Sequence, residues 1–192
     1  MIQKIQDIIT ESLEVKARVL NDPGLVARVG EIVTLIVRRF REGKHLYFCG
    51  NGGSAADAQH LAAELVVRLR VERPGLPALA LTTNTSILTA AGNDYGFERI
   101  FSRQVESLVG PHDVVVALST SGTSPNILKA IETGRSRGAF LVALTGEAGG
   151  ALAGKVNILI DVPSRDPQRI QEAHITIGHI VCSLIEHLVA AN

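Results

Sequence analysis

The sequence predicts an α/β protein, a three-layer αβα sandwich around a five-stranded parallel sheet that two N-terminal helices precede. Short apolar runs alternate with helix-period segments, as expected when helical crossovers join parallel strands. Apolar residues make up 46% of the 192 residues and charged residues 20%, which excludes a disordered chain. Polar, glycine-containing loops follow two of the apolar runs, at the positions where such sheets bind ligands.

The first 41 residues carry apolar side chains at helical spacing, among them Ile5, Ile9 and Leu13. The pattern breaks at residues 21–24, where Asn, Asp, Pro and Gly form a cluster of turn residues, so two helices joined by a turn are predicted. The chain contains no linker-like or low-complexity segment, and its length fits one domain. Residues 1–42 are therefore assigned to the N-terminal helices and residues 43–192 to the α/β core of the same domain.

Five apolar runs in the core predict buried strands at 46–49, 78–81, 114–118, 140–144 and 158–162. The segments between and after them predict helices at 54–70, 86–91, 97–108, 125–137 and 167–190, with a short helical turn near Ala151. Because the strands alternate with helices, the sheet is expected to be parallel and its ligand to lie at the carboxyl ends of the strands.

A hydroxyl-rich loop, S-T-S-G-T-S-P-N at residues 119–126, directly follows the third predicted strand. Ser124 suits an N-cap and Pro125 the first helical position, so a helix N-terminus with its unsatisfied N–H groups should face the loop. Such a terminus favours an anion, and four hydroxyls add further donors: Ser119, Thr120, Ser121 and Ser124. The loop predicts a phosphomonoester site; an ordinary polar strand-to-helix turn is the alternative.

A glycine-rich loop, G-N-G-G-S at residues 50–54, follows the first predicted strand. It does not match G-x-G-x-x-G, and the second strand is followed by Thr82, Thr83 and Asn84 rather than by an acidic ribose partner. No Gly-Lys-Ser/Thr of a Walker loop follows either. The two loops are therefore expected to hold a small phosphorylated molecule rather than a dinucleotide.

Helix 54–70 carries His60 and Glu64 four residues apart, which places an imidazole and a carboxylate on one face. The last predicted helix adds further polar side chains in an apolar setting: Gln171, Glu172, His174, His179 and Glu186. Each of these residues alone is more typical of a structural role. Together with the two loops, however, they suggest one site at the end of the sheet.

Charge and cysteine content narrow the possible partners. Lys+Arg and Asp+Glu both number 19, so no overall field favours nucleic acid or an anionic membrane, and an anion site must be built locally. Cys49 and Cys182 are isolated, and the first residues lack a signal-peptide pattern, so a cytoplasmic protein with reduced thiols is expected. The apolar stretches are shorter than the ~20 residues that span a bilayer, so no transmembrane helix is expected.

Several sequence motifs cover nearly the whole chain. They are C-G-N-G-G-S and A-D-A-Q-H-L-A-A-E-L within 49–65, E-R-P-G-L-P-A at 72–78, G-N-D-Y-G-F at 92–97, S-T-S-G-T-S at 119–124, A-L-T-G at 143–146 and R-I-Q-E-A-H at 169–174, with His179 beyond. Together these motifs resemble the sugar isomerase (SIS) domain family, and within it the phosphoheptose isomerases. The resemblance implies a flavodoxin-like SIS fold in a homo-oligomer, typically a tetramer. It also implies isomerisation of D-sedoheptulose 7-phosphate to D-glycero-D-manno-heptose 7-phosphate for bacterial heptose nucleotides of lipopolysaccharide or surface glycans.

The same resemblance implies residue roles, with Glu64 as catalytic base and His179 as catalytic acid. Ala55 and Ala56 replace bulkier residues of other members, a departure that bears on heptose specificity. The implied substrate-binding residues are Asn51, Gly52, Gly53, Glu64, Asn93, Asp94, Ser119, Thr120, Ser121, Ser124 and Gln171. The implied ligands of one Zn²⁺ per subunit are His60, Glu64, Gln171 and His179.

The spacing of two implied zinc ligands raises a geometric question. Gln171 and His179 are eight residues apart, about 12 Å along a helix. Both side chains must therefore lean toward one ion, or neighbouring subunits must share the site. The sharing hypothesis predicts that Glu64 and His179 meet across a subunit interface.

Three alternative functions remain at this point. One is a non-catalytic branch of the family that binds the replication initiator protein, but its members replace the carboxylate and histidine that this chain keeps as Glu64 and His179. Another is an isomerase of a pentose or hexose phosphate, which the motif around Asn93 and Asp94 disfavours. The third is a sugar-phosphate sensor of a transcription regulator, for which a DNA-binding segment ahead of the fold would be expected.

Overall fold

The computed structural model describes residues 1–190 and contains a five-stranded parallel sheet covered by helices on both faces, which confirms the predicted fold class. The strand order is β2-β1-β3-β4-β5, so the loops that follow β1 and β3 are neighbours. The strands are β1 (Leu46–Gly50), β2 (Ala78–Ala80), β3 (Val114–Ser119), β4 (Phe140–Thr145) and β5 (Ile158–Asp161).

Within residues 1–190, seven α-helices accompany the sheet, and the turn predicted at residues 21–24 separates the first two. Asp22 caps the second helix by accepting a hydrogen bond from the Leu25 N–H at 2.9 Å. Short 3₁₀ segments lie at Phe97–Arg99 and Glu147–Leu152. The helices are α1 (Ile2–Leu20), α2 (Pro23–Arg41), α3 (Gly53–Val66), α4 (Thr85–Tyr95), α5 (Ser102–Leu108), α6 (Pro125–Ser136) and α7 (Pro167–Ala190).

Helix α3 ends at Val66, four residues before the predicted end. The N–H groups of Leu69, Arg70 and Val71 donate to the carboxylate of Glu186 on α7, at 2.9, 2.8 and 3.1 Å. Because these N–H groups bind Glu186, they do not continue the hydrogen bonding of α3. Glu186 lies more than 100 residues away in the sequence, so a local sequence pattern could not predict this helix end.

Helix α7 lies on one face of the sheet and packs against α1, α2 and α3. Gly178 allows the close approach to α3, because a Cβ there would lie 2.6 Å from Leu61 Cδ2. By length and composition alone, α7 is also the single described helix that could cross a membrane. Its buried residues Ile170, Ile177 and Ile185 instead belong to the hydrophobic core of this face. Both cysteines are buried and free.

His174 on α7 is completely buried, and burial lowers its pKa to about 4. Its Nε2 lies 3.0 Å from the Thr145 carbonyl oxygen, so this nitrogen carries the ring proton, while no described residue pairs with Nδ1. Below about pH 6.5, His174 is protonated in the unfolded chain but stays neutral in the folded chain down to about pH 4. Folding stability should therefore fall on acidification from about pH 6.5 to 4, by about 2 kcal/mol from this residue at pH 5.

The contribution of His174 can be measured by urea unfolding at pH 7 and pH 5, at constant protein concentration. In His174→Gln, an amide can still donate to Thr145 but does not titrate, so its loss of stability between the two pH values should be smaller by about 2 kcal/mol. Equal losses in both proteins would contradict the assignment.

Candidate active site

The two polar loops meet at the carboxyl edge of the sheet, as predicted. Asn51, after β1, and Asn126, in the first turn of α6, exchange two side-chain hydrogen bonds of 2.9 and 2.8 Å. Asn126 is buried, and its role escaped the sequence prediction because its partner lies 75 residues away. This amide pair fixes the glycine-rich loop beside the hydroxyl-rich loop.

The hydroxyl-rich loop folds around its own first hydroxyl group. Ser119 is buried, and its Oγ accepts the Gly122 N–H at 3.2 Å. Ser121 is exposed, and its Oγ accepts from the Thr123 N–H and hydroxyl at 3.2 and 3.1 Å. Ser124 occupies the N-cap position of α6 with Pro125 next to it, but its hydroxyl makes no capping bond, contrary to expectation. That hydroxyl can therefore donate to a ligand.

The glycine-rich segment at residues 146–150, which the sequence prediction missed, packs against the hydroxyl-rich loop. Gly122 has φ +64°, and a Cβ there would lie 2.3 Å from the Gly149 carbonyl oxygen. A Cβ on Gly150 would in turn lie 2.5 Å from the Ser121 carbonyl oxygen. The Gly146 N–H also donates to the Thr120 carbonyl oxygen at 3.0 Å. Close backbone packing therefore contributes to the shape of the loop, together with the Ser119 and Ser121 hydroxyls.

Three of the predicted acid–base and metal residues converge in one chain. His60 Nε2 lies 3.2 Å from Glu64 Oε1 on α3 and 2.7 Å from His179 Nε2 on α7. Their potential ligand atoms all lie within 4.8 Å of one another. Imidazole nitrogens and carboxylate oxygens are usual zinc ligands, so this donor set fits the predicted metal. The α3 and α7 helices of one chain bring Glu64 and His179 together, so these two residues need no subunit interface to meet. Completion of the site by a neighbouring subunit stays a prediction.

Gln171, the fourth predicted zinc ligand, lies against the start of α3. A Cβ on Gly53 would lie 2.0 Å from Gln171 Nε2, so the glycine makes room for the amide. Burial raises the pKa of Asp57, while hydrogen bonding from Gln171 and the charges of His60 and His179 oppose that rise. Gln171 therefore lies where α3 begins, next to the glycine-rich loop.

Asp57 is a site residue that the sequence prediction missed. It is buried, and no described residue pairs with its Oδ2, although it belongs to the group around His60 and His179. Its position three residues before His60 and seven before Glu64 places it on the same helix face, a signal that was present in the sequence. Asp57 therefore places a buried carboxyl group near the two histidines.

Asn93 and Asp94 lie on the last turn of α4, exposed, and hydrogen bond to each other at 2.8 Å. They contact none of the other predicted site residues through a described hydrogen bond. The adjacent Gly92 lines an open cavity of about 490 Å³ together with Gly50, Asn51 and Gly52. The α4 turn thus borders the glycine-rich loop.

Comparison with known proteins identifies the family of the chain. Residues 24–146 match the SIS domain family. The chain is 54% identical over 162 residues to a phosphoheptose isomerase of Trichlorobacter lovleyi, covering 84% of this chain and 83% of the relative. It is 48% identical over 185 residues to that of Burkholderia pseudomallei, covering 96% and 94%.

Solved structures give the same result. The structure of a phosphoheptose isomerase from Francisella tularensis superimposes with a TM-score of 0.91 at 37% identity, covering 97% of this chain and 98% of that one. Sequence and fold therefore agree over nearly the full length of both proteins. The chain belongs to the phosphoheptose isomerase family of SIS domain proteins.

Proposed function

We propose that this protein is an aldose–ketose isomerase that converts D-sedoheptulose 7-phosphate to D-glycero-D-manno-heptose 7-phosphate. The observation that carries the proposal is the convergence of Glu64 and His179 between α3 and α7, in a fold that presents the hydroxyl-rich loop after β3. Its similarity to phosphoheptose isomerases over most of their length supports the same conclusion. The product would supply heptose nucleotides for lipopolysaccharide or another surface glycan.

The reaction moves a proton between adjacent carbons through an enediol, so it needs a base above the C–H bond and a proton donor at the oxygens. Glu64 is half-buried on α3 and supplies the carboxylate base. His179, on the facing helix, supplies the imidazole that protonates the oxygen. Each positioned group contributes about 10²–10⁴-fold to the rate.

The hydroxyl-rich loop binds the phosphate of the substrate through the side chains of Ser119, Thr120, Ser121 and Ser124, with the N-terminus of α6 behind them. The glycine-rich loop, Asn51 to Gly53, and Asn93 with Asp94 would contact the sugar. Binding energy from the remote phosphate holds the reacting carbons in register between Glu64 and His179.

The proposal includes one Zn²⁺ per subunit, bound by His60, Glu64 and His179, with Gln171 as the fourth ligand. The support is the three converging donor atoms and the usual ligand types of zinc. A bound zinc ion would act as a Lewis acid that polarises the substrate carbonyl, and it would replace proton donation by His179, whose zinc-bound nitrogen would carry no proton.

We also propose a homotetramer in the cytoplasm, without a nucleic-acid or membrane partner. Apolar side chains stay exposed along α1 and α7, a pattern typical of helix-mediated association. The equal numbers of acidic and basic residues support the absence of a nucleic-acid partner. The exposed apolar side chains are Ile2, Ile5, Ile8, Ile9, Leu13, Leu20, Ile180, Leu184 and Leu188.

Incubation of the protein with sedoheptulose 7-phosphate, with detection of the aldose product, tests the proposal. Turnover of this ketose in preference to pentose and hexose phosphates is the expected result. A faster reaction of another sugar phosphate would replace the substrate, and binding without turnover would favour a non-catalytic branch of the family.

The phosphate site can be tested separately with Ser121→Ala combined with Ser124→Ala. Loss of two hydrogen bonds to a charged group, at about 1.5–3 kcal/mol each, should raise the dissociation constant of sugar phosphate by more than about 100-fold. Binding of dephosphorylated sedoheptulose, titrated in parallel, should not change. Because the Ser124 hydroxyl makes no capping bond, the melting temperature should stay close to the wild-type value. Equal weakening for both sugars would point to a misfolded loop instead.

A further inference from the structure

A buried ion pair lies beside the candidate active site, on residues to which the proposed reaction gives no role. Arg73 and Glu186 both have side chains only 2% exposed, and Arg73 Nε lies 3.5 Å from Glu186 Oε1. Arg73 belongs to the E-R-P-G-L-P-A motif, and Glu186 lies in the second half of α7. Removing two charges from water is costly, so such a pair requires further hydrogen bonds.

Arg73 makes those bonds to the end of α3. Its Nη1 donates to the Leu65 carbonyl oxygen at 2.6 Å, and its Nη2 donates to the Glu64 carbonyl oxygen at 2.9 Å. The last carbonyl groups of a helix have no N–H donors within the helix, and here the Arg73 guanidinium donates to two of them. The Leu76 N–H adds a bond of 3.1 Å to Leu65. The backbone of the proposed catalytic base is therefore held directly by Arg73.

Glu186 connects the same structure to α7. Besides Arg73, its carboxylate accepts the three N–H groups of residues 69–71 that follow α3. Burial would raise the pKa of Glu186, but these N–H donors and the Arg73 charge outweigh it, so the pKa is lowered and the group stays ionised. Glu186 lies seven residues, two helical turns, after His179 and thus on a similar face of α7.

These contacts form a continuous link from Glu64 through Arg73 and Glu186 to the helix that carries His179. At the middle of the two helices, Gly178 and Leu61 are already in close contact, so rotation of α3 against α7 is restrained at two points. A base and an acid that act on one substrate require their spacing to be maintained within a fraction of an ångström.

We propose that Arg73 and Glu186 are positioning residues that set the placement of Glu64 relative to His179. The inference rests on the proposed isomerase function. It assigns neither residue a contact with the substrate. Their loss should therefore lower kcat and leave the KM for the sugar phosphate nearly unchanged, because the phosphate loop is supported by other elements.

The experiment compares Glu186→Gln, Arg73→Met and Arg73→Lys with the wild-type protein, well below every melting temperature. We expect kcat to fall about 10- to 100-fold in Glu186→Gln and Arg73→Met, with KM within about threefold of wild type. Arg73→Lys keeps the charge but cannot bridge two carbonyls and a carboxylate, so its kcat should lie between those of wild type and Arg73→Met.

Asp113→Asn is a matched control for a purely structural carboxylate. Asp113 is also buried and accepts two backbone N–H bonds, from His45 and Gly110 at 2.8 Å each, but no described side-chain bond joins it to α3 or α7. Asp113→Asn should lower the melting temperature without changing kcat. If Glu186→Gln and Arg73→Met behave like this control, with kcat at the wild-type value, the positioning role is wrong.

Amide hydrogen exchange provides a readout that does not depend on activity. In Glu186→Gln, residues 60–66 should exchange faster than in the wild-type protein, whereas α6 should exchange as before. Unchanged exchange in residues 60–66 would contradict the inference by itself. An inactive wild-type protein would instead contradict the proposed function, and the exchange result would still decide the positioning role.

Discussion

Replacement of Glu64 by glutamine should lower kcat by about 10²–10⁴-fold while sugar phosphate still binds. The amide keeps the size of the side chain and can accept a hydrogen bond, but it cannot take up the proton of a C–H bond. The Glu64 side chain is only 17% exposed, so bulk water has little access with which to replace the lost base. The test is steady-state kinetics with sedoheptulose 7-phosphate, together with calorimetric binding of the same sugar.

Glu106→Gln is the control for this substitution, since Glu106 is an exposed carboxylate on α5, paired with Arg103 and remote from the site. It should leave kcat and binding at wild-type values. Because Glu64 is also a proposed zinc ligand, the metal content of each sample should be measured as well. If Glu64→Gln with full metal content keeps wild-type turnover, Glu64 is not the base.

The fold was predictable because its signals are local. Apolar runs such as Val114 to Leu118 are long enough for a buried strand and too short for a helix, and the turn residues at 21–24 separate two amphipathic helices. The end of α3 was not predictable in the same way. It depends on Glu186, more than 100 residues later, whose carboxylate binds the N–H groups that would have continued the helix.

In the candidate site, too, the features set by neighbouring residues were predictable, whereas most of those set by distant contacts were not. His60 and Glu64 could be paired from their spacing on one helix, and the phosphate loop from its hydroxyls and Pro125. The approach of His179 to His60 spans 119 residues. The polar residues of the last helix suggested a shared site, but the specific pairing of these two histidines came from the family resemblance. Contacts that involve the backbone alone, such as Gly122 against Gly149, leave no pattern of side-chain types to detect. Asp57 is different, since its helical spacing was visible and was overlooked.

The backbone contact at Gly122 leads to a second large effect, which Gly122→Ala should reveal as a rise of more than about 100-fold in the KM for sugar phosphate. Alanine disfavours φ +64°, and its Cβ would lie 2.3 Å from the Gly149 carbonyl oxygen, a backbone atom that cannot turn aside. The loop must therefore shift, and the hydroxyls of Ser121 and Ser124 move with it. Several charge-assisted bonds to phosphate, each worth about 1.5–3 kcal/mol, would then be lost together.

Gly154→Ala is the control that separates the effect of the positive φ from the effect of the clash with the Gly149 carbonyl oxygen. Gly154 has a similar φ of +71°, but a Cβ there meets nothing within 4 Å, and it lies outside the phosphate loop. This control should be destabilised only by its backbone conformation, about 1 kcal/mol, and its KM should equal that of the wild-type protein. In Gly122→Ala, kcat at saturating substrate should fall less than kcat/KM, because Glu64 and His179 lie on α3 and α7 rather than on the displaced loop. A wild-type KM in folded Gly122→Ala would show that the loop does not grip the phosphate, and the phosphate site would have to lie elsewhere along the sheet edge.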